Sequence, residues 1–184
     1  MTRLILIRHG QTEWNAESRW QGQVDVPLNP LGLEQARHLA AELADAGIQV
    51  IYASDMQRAL QTVQPLADLT GLPVRIEHRL REINVGEWQG LLVDEIAARY
   101  GDLFHRRQAD PSAVTPPGGE TVQQVQQRAY PVLDEILERH PHETVAIVAH
   151  GFVIALLRLR LENRPVGDVW QLVPKSGQWL EYIV

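Results

Sequence analysis

The chain has 184 residues, of which 45% are hydrophobic and 22% charged. A chain of that length can bury about 70% of its unfolded surface, so a soluble globular domain needs no metal or disulfide staple. The net charge of -6 argues against sequence-independent nucleic-acid binding, which needs a basic face, and the lack of cysteine removes disulfides, thiolate metal sites and a cysteine nucleophile.

Leu4 to Ile7 is a continuous apolar run of branched residues that reads as a strand buried on both faces. It is too short for a signal-peptide core of about 7–15 residues, and no stretch reaches the ~18 apolar residues of a membrane helix. The expected location is therefore cytoplasmic, with no membrane partner. Arg8-His9-Gly10 follows the strand at its carboxyl end. Asn29-Pro30 is the signature of an N-cap followed by proline at the first helical position, and Leu33, Ala36, Ala40 and Leu43 carry a helix that Gly47 ends. Ile48 to Ala53 predicts a second strand, and Ser54 can cap a helix from Asp55 to about Leu69, with Pro65 as a potential kink.

Val74 to Glu77 predicts a third strand, residues 81–91 an irregular loop, and Leu92 to Tyr100 a short helix stopped by Gly101. Residues 102–119 are the least regular, and the 91–119 segment is expected to act as a lid or specificity element. A long helix follows over Glu120 to His140, interrupted by Pro131, then a buried strand over Thr144 to Ala149, closed by His150-Gly151. Phe152 to Leu161 is helical and Trp179 to Val184 a final strand, while His140 and His142, flanking Pro141, read as exposed loop residues. Strands alternating with helices predict a single domain over 1–184, a three-layer α/β/α sandwich with a mostly parallel central sheet.

In such sheets ligand sites collect beyond the carboxyl ends of the strands. Two strands end there in His-Gly, at His9-Gly10 and His150-Gly151, the second strand leads towards Arg58, and Glu82 lies in a loop. Any one of these residues alone would be a turn residue or a solvated charge; two histidines each closing a buried strand are harder to explain as coincidence. No His-Glu-x-x-His, no acidic cluster at ligand spacing and no glycine-rich nucleotide loop is present, so no metal and no other cofactor is expected.

These residues carry a family likeness. Leu6-Ile7-Arg8-His9-Gly10-Gln11-Thr12-Glu13-Trp14-Asn15 resembles the signature of the histidine phosphatase superfamily, the phosphoglycerate-mutase-like proteins. Gln21-Gly22, the stretch from Ser54 to Thr62 around Arg58, the acid loop from Leu80 to Gly90, Pro117-Gly118-Gly119-Glu120-Thr121 and Val148-Ala149-His150-Gly151 follow in the family's order. The acid loop looks more like the phosphatase branch, with its broad-specificity and α-ribazole phosphatases. Phe152 stands where relatives often carry a smaller residue.

The resemblance implies a metal-independent phosphomonoesterase acting on a small phosphorylated metabolite. Arg8, His9, Arg58, Glu82 and His150 would be catalytic. His9 would be the nucleophile, with its other ring nitrogen bonded to a backbone carbonyl, and Glu82 the general acid and base, placed near Trp88. His150, if protonated, would be a third donor to the phosphate. Thr12, Asn15, Gln21, Gly22 and Gly151 would bind phosphate or substrate, Asn15 through its amide. The other readings are a phosphomutase, for which Arg99, Arg106 and Arg107 would be the extra basic groups, and a non-catalytic phospholigand-binding protein. Assembly is expected to be monomer or homodimer.

Overall fold

Four consecutive apolar residues in a strand point alternately to opposite faces, so a sheet built from such strands must be covered on both sides. The computed structural model, which describes residues 1–184, shows this. In β1 (Arg3–Arg8), Leu4 and Leu6 enter one core and Ile5 and Ile7 the other. The same sorting recurs in β2 (Val50–Ala53) and β4 (Thr144–Ala149).

The sheet order is β3-β2-β4-β1-β5, with β3 at Val74–Ile76 and β5 at Trp179–Ile183. β1, β2, β3 and β4 run parallel, and β5 pairs antiparallel with β1. The smaller core lies under α2 (Pro30–Leu43) and α3 (Gln57–Thr70). The larger lies under α4 (Val93–Ala109), α5 (Val122–Arg139), α6 (Gly151–Leu161) and α7 (Val169–Leu172). The expected three-layer α/β/α sandwich with a mostly parallel sheet is present. No helix is long and apolar enough to cross a membrane.

This order places the site. The chain leaves β1 towards α2 on one face and leaves β4 towards α6 on the other, so the crevice of the sheet opens where these adjacent strands end. Arg8 is in register with Ala149, and the His9 N–H donates to the Ala149 carbonyl at 3.0 Å. The residues after the two strands are thereby neighbours.

Several local expectations are revised. α2 ends at Leu43, short of Gly47, and buries Gly32, Ala36, Leu39, Ala40 and Leu43, leaving Leu33 exposed. The cause is close approach: a Cβ on Gly32 would lie 2.0 Å from the Gln11 carbonyl oxygen, and one on Gly10 would lie 2.6 Å from that of Gly32. Only glycine at both positions lets α2 sit against the Arg8-His9-Gly10 turn. Met56, not Ser54, is the N-cap of α3, and Pro65 and Pro131 lie inside continuous helices. Gly101 kinks α4 (φ 28°, ψ −95°) without ending it, because Phe104 beyond the kink is buried in the larger core. Most of the segment expected to be irregular after Gly101 is thus helix. His140 is buried, accepting from or donating to the Tyr52 hydroxyl at 3.0 Å and facing the Glu143 carboxylate, whereas His142 is exposed.

Candidate active site

A cavity of about 340 Å³ opens at the ends of β1 and β4, lined by Arg8, His9, Asn15, Arg19, Gln21, Gly22, Arg58, Glu82, Arg107, Gly151 and seven further residues, mostly apolar, besides Ser18. Four of the lining side chains are arginines and one is an acid, so the pocket is locally positive in a chain of net charge -6.

His9 is buried. Its Nδ1–H donates to the Gly10 carbonyl at 2.7 Å, which leaves Nε2 as the nitrogen with the free lone pair. Burial, then Arg58 and Arg8, hold the imidazole well below its ordinary pKa, so it is neutral at pH 7. The turn is fixed from behind: the Gly10 N–H donates to Thr62 Oγ1 at 2.9 Å, and that hydroxyl donates to the Arg58 carbonyl at 2.6 Å. Thr62 belongs to the motif around Arg58, but nothing local marks it as the brace of a turn so far away in sequence.

Arg58 is fully buried. Nη2 donates to Gly22 O at 2.7 Å, Nη1 to Val24 O at 2.8 Å and Nε to His150 Nδ1 at 3.2 Å. Of its five N–H groups, one on each terminal nitrogen stays free. Burial lowers its pKa to about 10, with Glu82 opposing, so the charge persists at neutral pH. Arg8 is held by the Pro174 carbonyl through Nη1, while its Nε is buried and unpartnered.

Glu82 accepts the Ile83 N–H at 2.9 Å and the Phe152 N–H at 3.1 Å, the second from the first turn of α6. Its loop is buckled by Arg128, which donates to the carbonyls of Arg79, Arg81 and Glu82 and pairs with Glu120. Glu120 in turn accepts the Asn84 N–H at 2.8 Å. Sequence reasoning did not single out Arg128; its only signal was an arginine on the polar side of α5.

His150 lies beside His9, with ring centroids 5.2 Å apart. The two imidazoles meet, but their roles differ from the expectation. His150 is fully buried behind the cavity wall, and its Nδ1 accepts from Arg58. Nε2–H then faces Ser54 Oγ at 2.8 Å. Burial, then Arg58, hold its pKa well below the ordinary value. In this geometry it is a neutral acceptor that orients Arg58, not a charged donor to phosphate.

Thr12 also stands behind the wall. It is the N-cap of the short helix α1 (Glu13–Ala16), receiving the Asn15 N–H and donating to Gln21 Oε1 at 2.9 Å. The capping box occupies Asn15 Oδ1 and leaves its amide hydrogens for the cavity. Gly22 lies at φ +52°, and a Cβ there would meet Gln89 Oε1 at 2.5 Å. A Cβ on Gly151 would lie 3.2 Å from Arg8 Cζ, so this glycine leaves the guanidinium its place. Of the aromatic residues, Trp20, Phe152 and Trp170 line the cavity, while Trp88 is fully buried in the larger core. No cluster of three or more histidine, cysteine or acidic side chains is placed to hold a metal ion.

A positive crevice at the switch point of a parallel sheet, presenting a neutral imidazole between guanidiniums, defines an enzyme that handles phosphate esters. The comparisons give the family: residues 4–182 match the histidine phosphatase superfamily, branch 1, and the chain belongs to it. It is 39% identical to phosphoserine phosphatase 1 of Hydrogenobacter thermophilus, over 92% of this chain and 81% of that protein. It is 40% identical to glucosyl-3-phosphoglycerate phosphatase of Mycolicibacterium vanbaalenii, over 97% and 83%. The fold is similar to a mycobacterial glucosyl-3-phosphoglycerate phosphatase solved with VO3, with TM-score 0.90 and 36% identity over 97% of this chain and 90% of that one.

Proposed function

We propose that the chain is a metal-independent phosphomonoesterase that forms phosphohistidine on His9. One observation carries the reading: the free Nε2 of a neutral, buried imidazole shares a cavity with two arginines that keep unused N–H groups and with the carboxyl of Glu82. Nε2 attacks phosphorus, an Nε2–P bond forms and the ester P–O bond breaks. Glu82, entering protonated, gives its proton to the leaving oxygen. Water then attacks phosphorus, its proton returns to Glu82 and the P–N bond breaks, so that one ester and one water give one alcohol and inorganic phosphate. Arg8, Arg58 and the Asn15 amide hold the three outer oxygens, each such donor being worth about 10²–10³ in rate by analogy with an oxyanion hole. Gln21 and Gly22 act through Thr12 and Arg58, and Gly151 by leaving room for Arg8.

Hydrolysis is favoured over phosphoryl transfer between substrates by the fate of the extra basic groups. Arg99 and Arg106 are exposed and paired with acids of their own helix, so they build no second phosphate cradle. The test is acid quenching of the protein with a 32P-labelled aryl phosphate. Acid-labile label is expected on wild type and none on His9→Ala, with stoichiometric phosphate release; label that persists in His9→Ala, or label that passes to an acceptor alcohol instead of water, refutes the reading.

A further inference from the structure

Arg107 is 1% exposed, although arginine is almost never fully buried unless paired. It rides on the part of α4 beyond the Gly101 kink and lines the same cavity as His9. Nη1 is tied to the Val114 carbonyl at 2.7 Å and more loosely to that of Pro111. Nε and Nη2 have no partner at all. The Phe152 and Trp170 rings lie 5.8 and 6.0 Å from the guanidinium carbon, which compensates the charge only in part. Arg8 and Arg58 both have Glu82 as counter-charge; Arg107 has none, and burial by itself lowers its pKa to about 10.

An uncompensated buried cation is costly, and removing its partner, not supplying one, is what destabilises a fold. Here the missing partner has a defined shape. The unpartnered Nε and Nη2 hydrogens form the fork edge of the guanidinium, which matches the two oxygens of a carboxylate. One free edge carries one positive charge. A phosphate dianion on that edge would leave a charge over against Phe152, Trp170 and Val173, whereas a carboxylate leaves none.

We infer that the substrate carries a carboxylate besides its phosphate, and that Arg107 selects for it. This rests on the cavity being the phosphatase site. The test compares kcat/KM for 3-phosphoglycerate with that for glycerol 3-phosphate, which differ in carboxylate against hydroxymethyl. Wild type is expected to prefer the carboxylated ester by roughly 10–100-fold, the range of a charged hydrogen-bonded pair. R107Q is expected to erase most of that ratio. R107K, which keeps charge and bulk but loses the fork, is expected to keep its fold and lose about threefold or more of the ratio. Equal values in wild type, or an unchanged ratio in whichever variant folds, overturns the inference. Calorimetric binding of both esters to His9→Ala protein separates the two readings: discrimination there without phosphate release by wild type refutes the phosphatase reading and leaves Arg107's role standing.

Discussion

Replacing Arg128 with methionine removes a buckle that never touches the cavity. The arginine donates at 2.7 Å to the carbonyls of Arg79 and Arg81 and at 3.0 Å to that of Glu82 itself. Two further bonds, both 2.9 Å, go to Glu120. Methionine keeps the apolar stem and loses every donor. Each charge-assisted bond is worth about 1.5–3 kcal/mol when broken, but the side chain is 19% exposed and water can reach part of the loop. We therefore expect a stability loss of about 2–4 kcal/mol, not the full sum, read by urea titration. The loop carries Glu82, and a misplacement of about 1 Å costs roughly 100-fold in a step that needs the group. Loss of proton donation shows most with a poor leaving group. Phosphate release from glycerol 3-phosphate should fall roughly 100-fold, and release from p-nitrophenyl phosphate, whose leaving group needs little protonation, far less. A purely structural role would lower both alike. An equal fall on the two esters, with the stability loss as expected, would refute the assignment of Arg128 as the residue that positions Glu82.

Acidification should destabilise the fold. His9 and His150 are both held well below 6.5 in the native state, chiefly by burial and then by the arginines, so as pH falls through about 6.5 the unfolded chain takes up protons that the native state refuses. Stability is then lost between pH 7 and the depressed native pKa values; melting temperature against pH should slope accordingly, with a shallower slope in His9→Gln, and an unaltered slope would contradict the neutral buried imidazole. Gly151→Ala brings a Cβ to 3.1 Å from Val173 Cγ1 and 3.2 Å from Arg8 Cζ. Displacing Arg8 by a few tenths of an ångström should lower kcat/KM roughly tenfold, with melting temperature changed little; wild-type kinetics in that variant would show that Arg8 does not depend on this gap.

Much of the architecture could be read from local pattern. Strand β1 is too apolar for anything but a two-sided burial, Asn29-Pro30 caps α2 as its chemistry requires, and two His-Gly pairs fall where parallel strands end. These are rules between chain neighbours, and a sequence states them directly. The helix through Gly101 broke such a rule: glycine is a poor helix residue, yet burial of Phe104 in the larger core outweighs it. Packing supplied by distant residues decided the outcome.

The sequence by itself determined the class of fold, the strand ends on which the reacting groups sit and the type of chemistry those groups can perform. Tertiary structure alone decided which charges lose water and which find partners. Insertion of β4 between β2 and β1 brings Ser54 and Arg58 against His150 and makes that imidazole a neutral acceptor. The kink at Gly101 precedes the turn of helix from which Arg107 enters a cavity with no carboxylate to meet it. Desolvation depends on everything that closes around a group, and the elements that close around Arg107 are drawn from separate stretches of the chain: Trp20, Phe152 and Trp170 are near it only after folding.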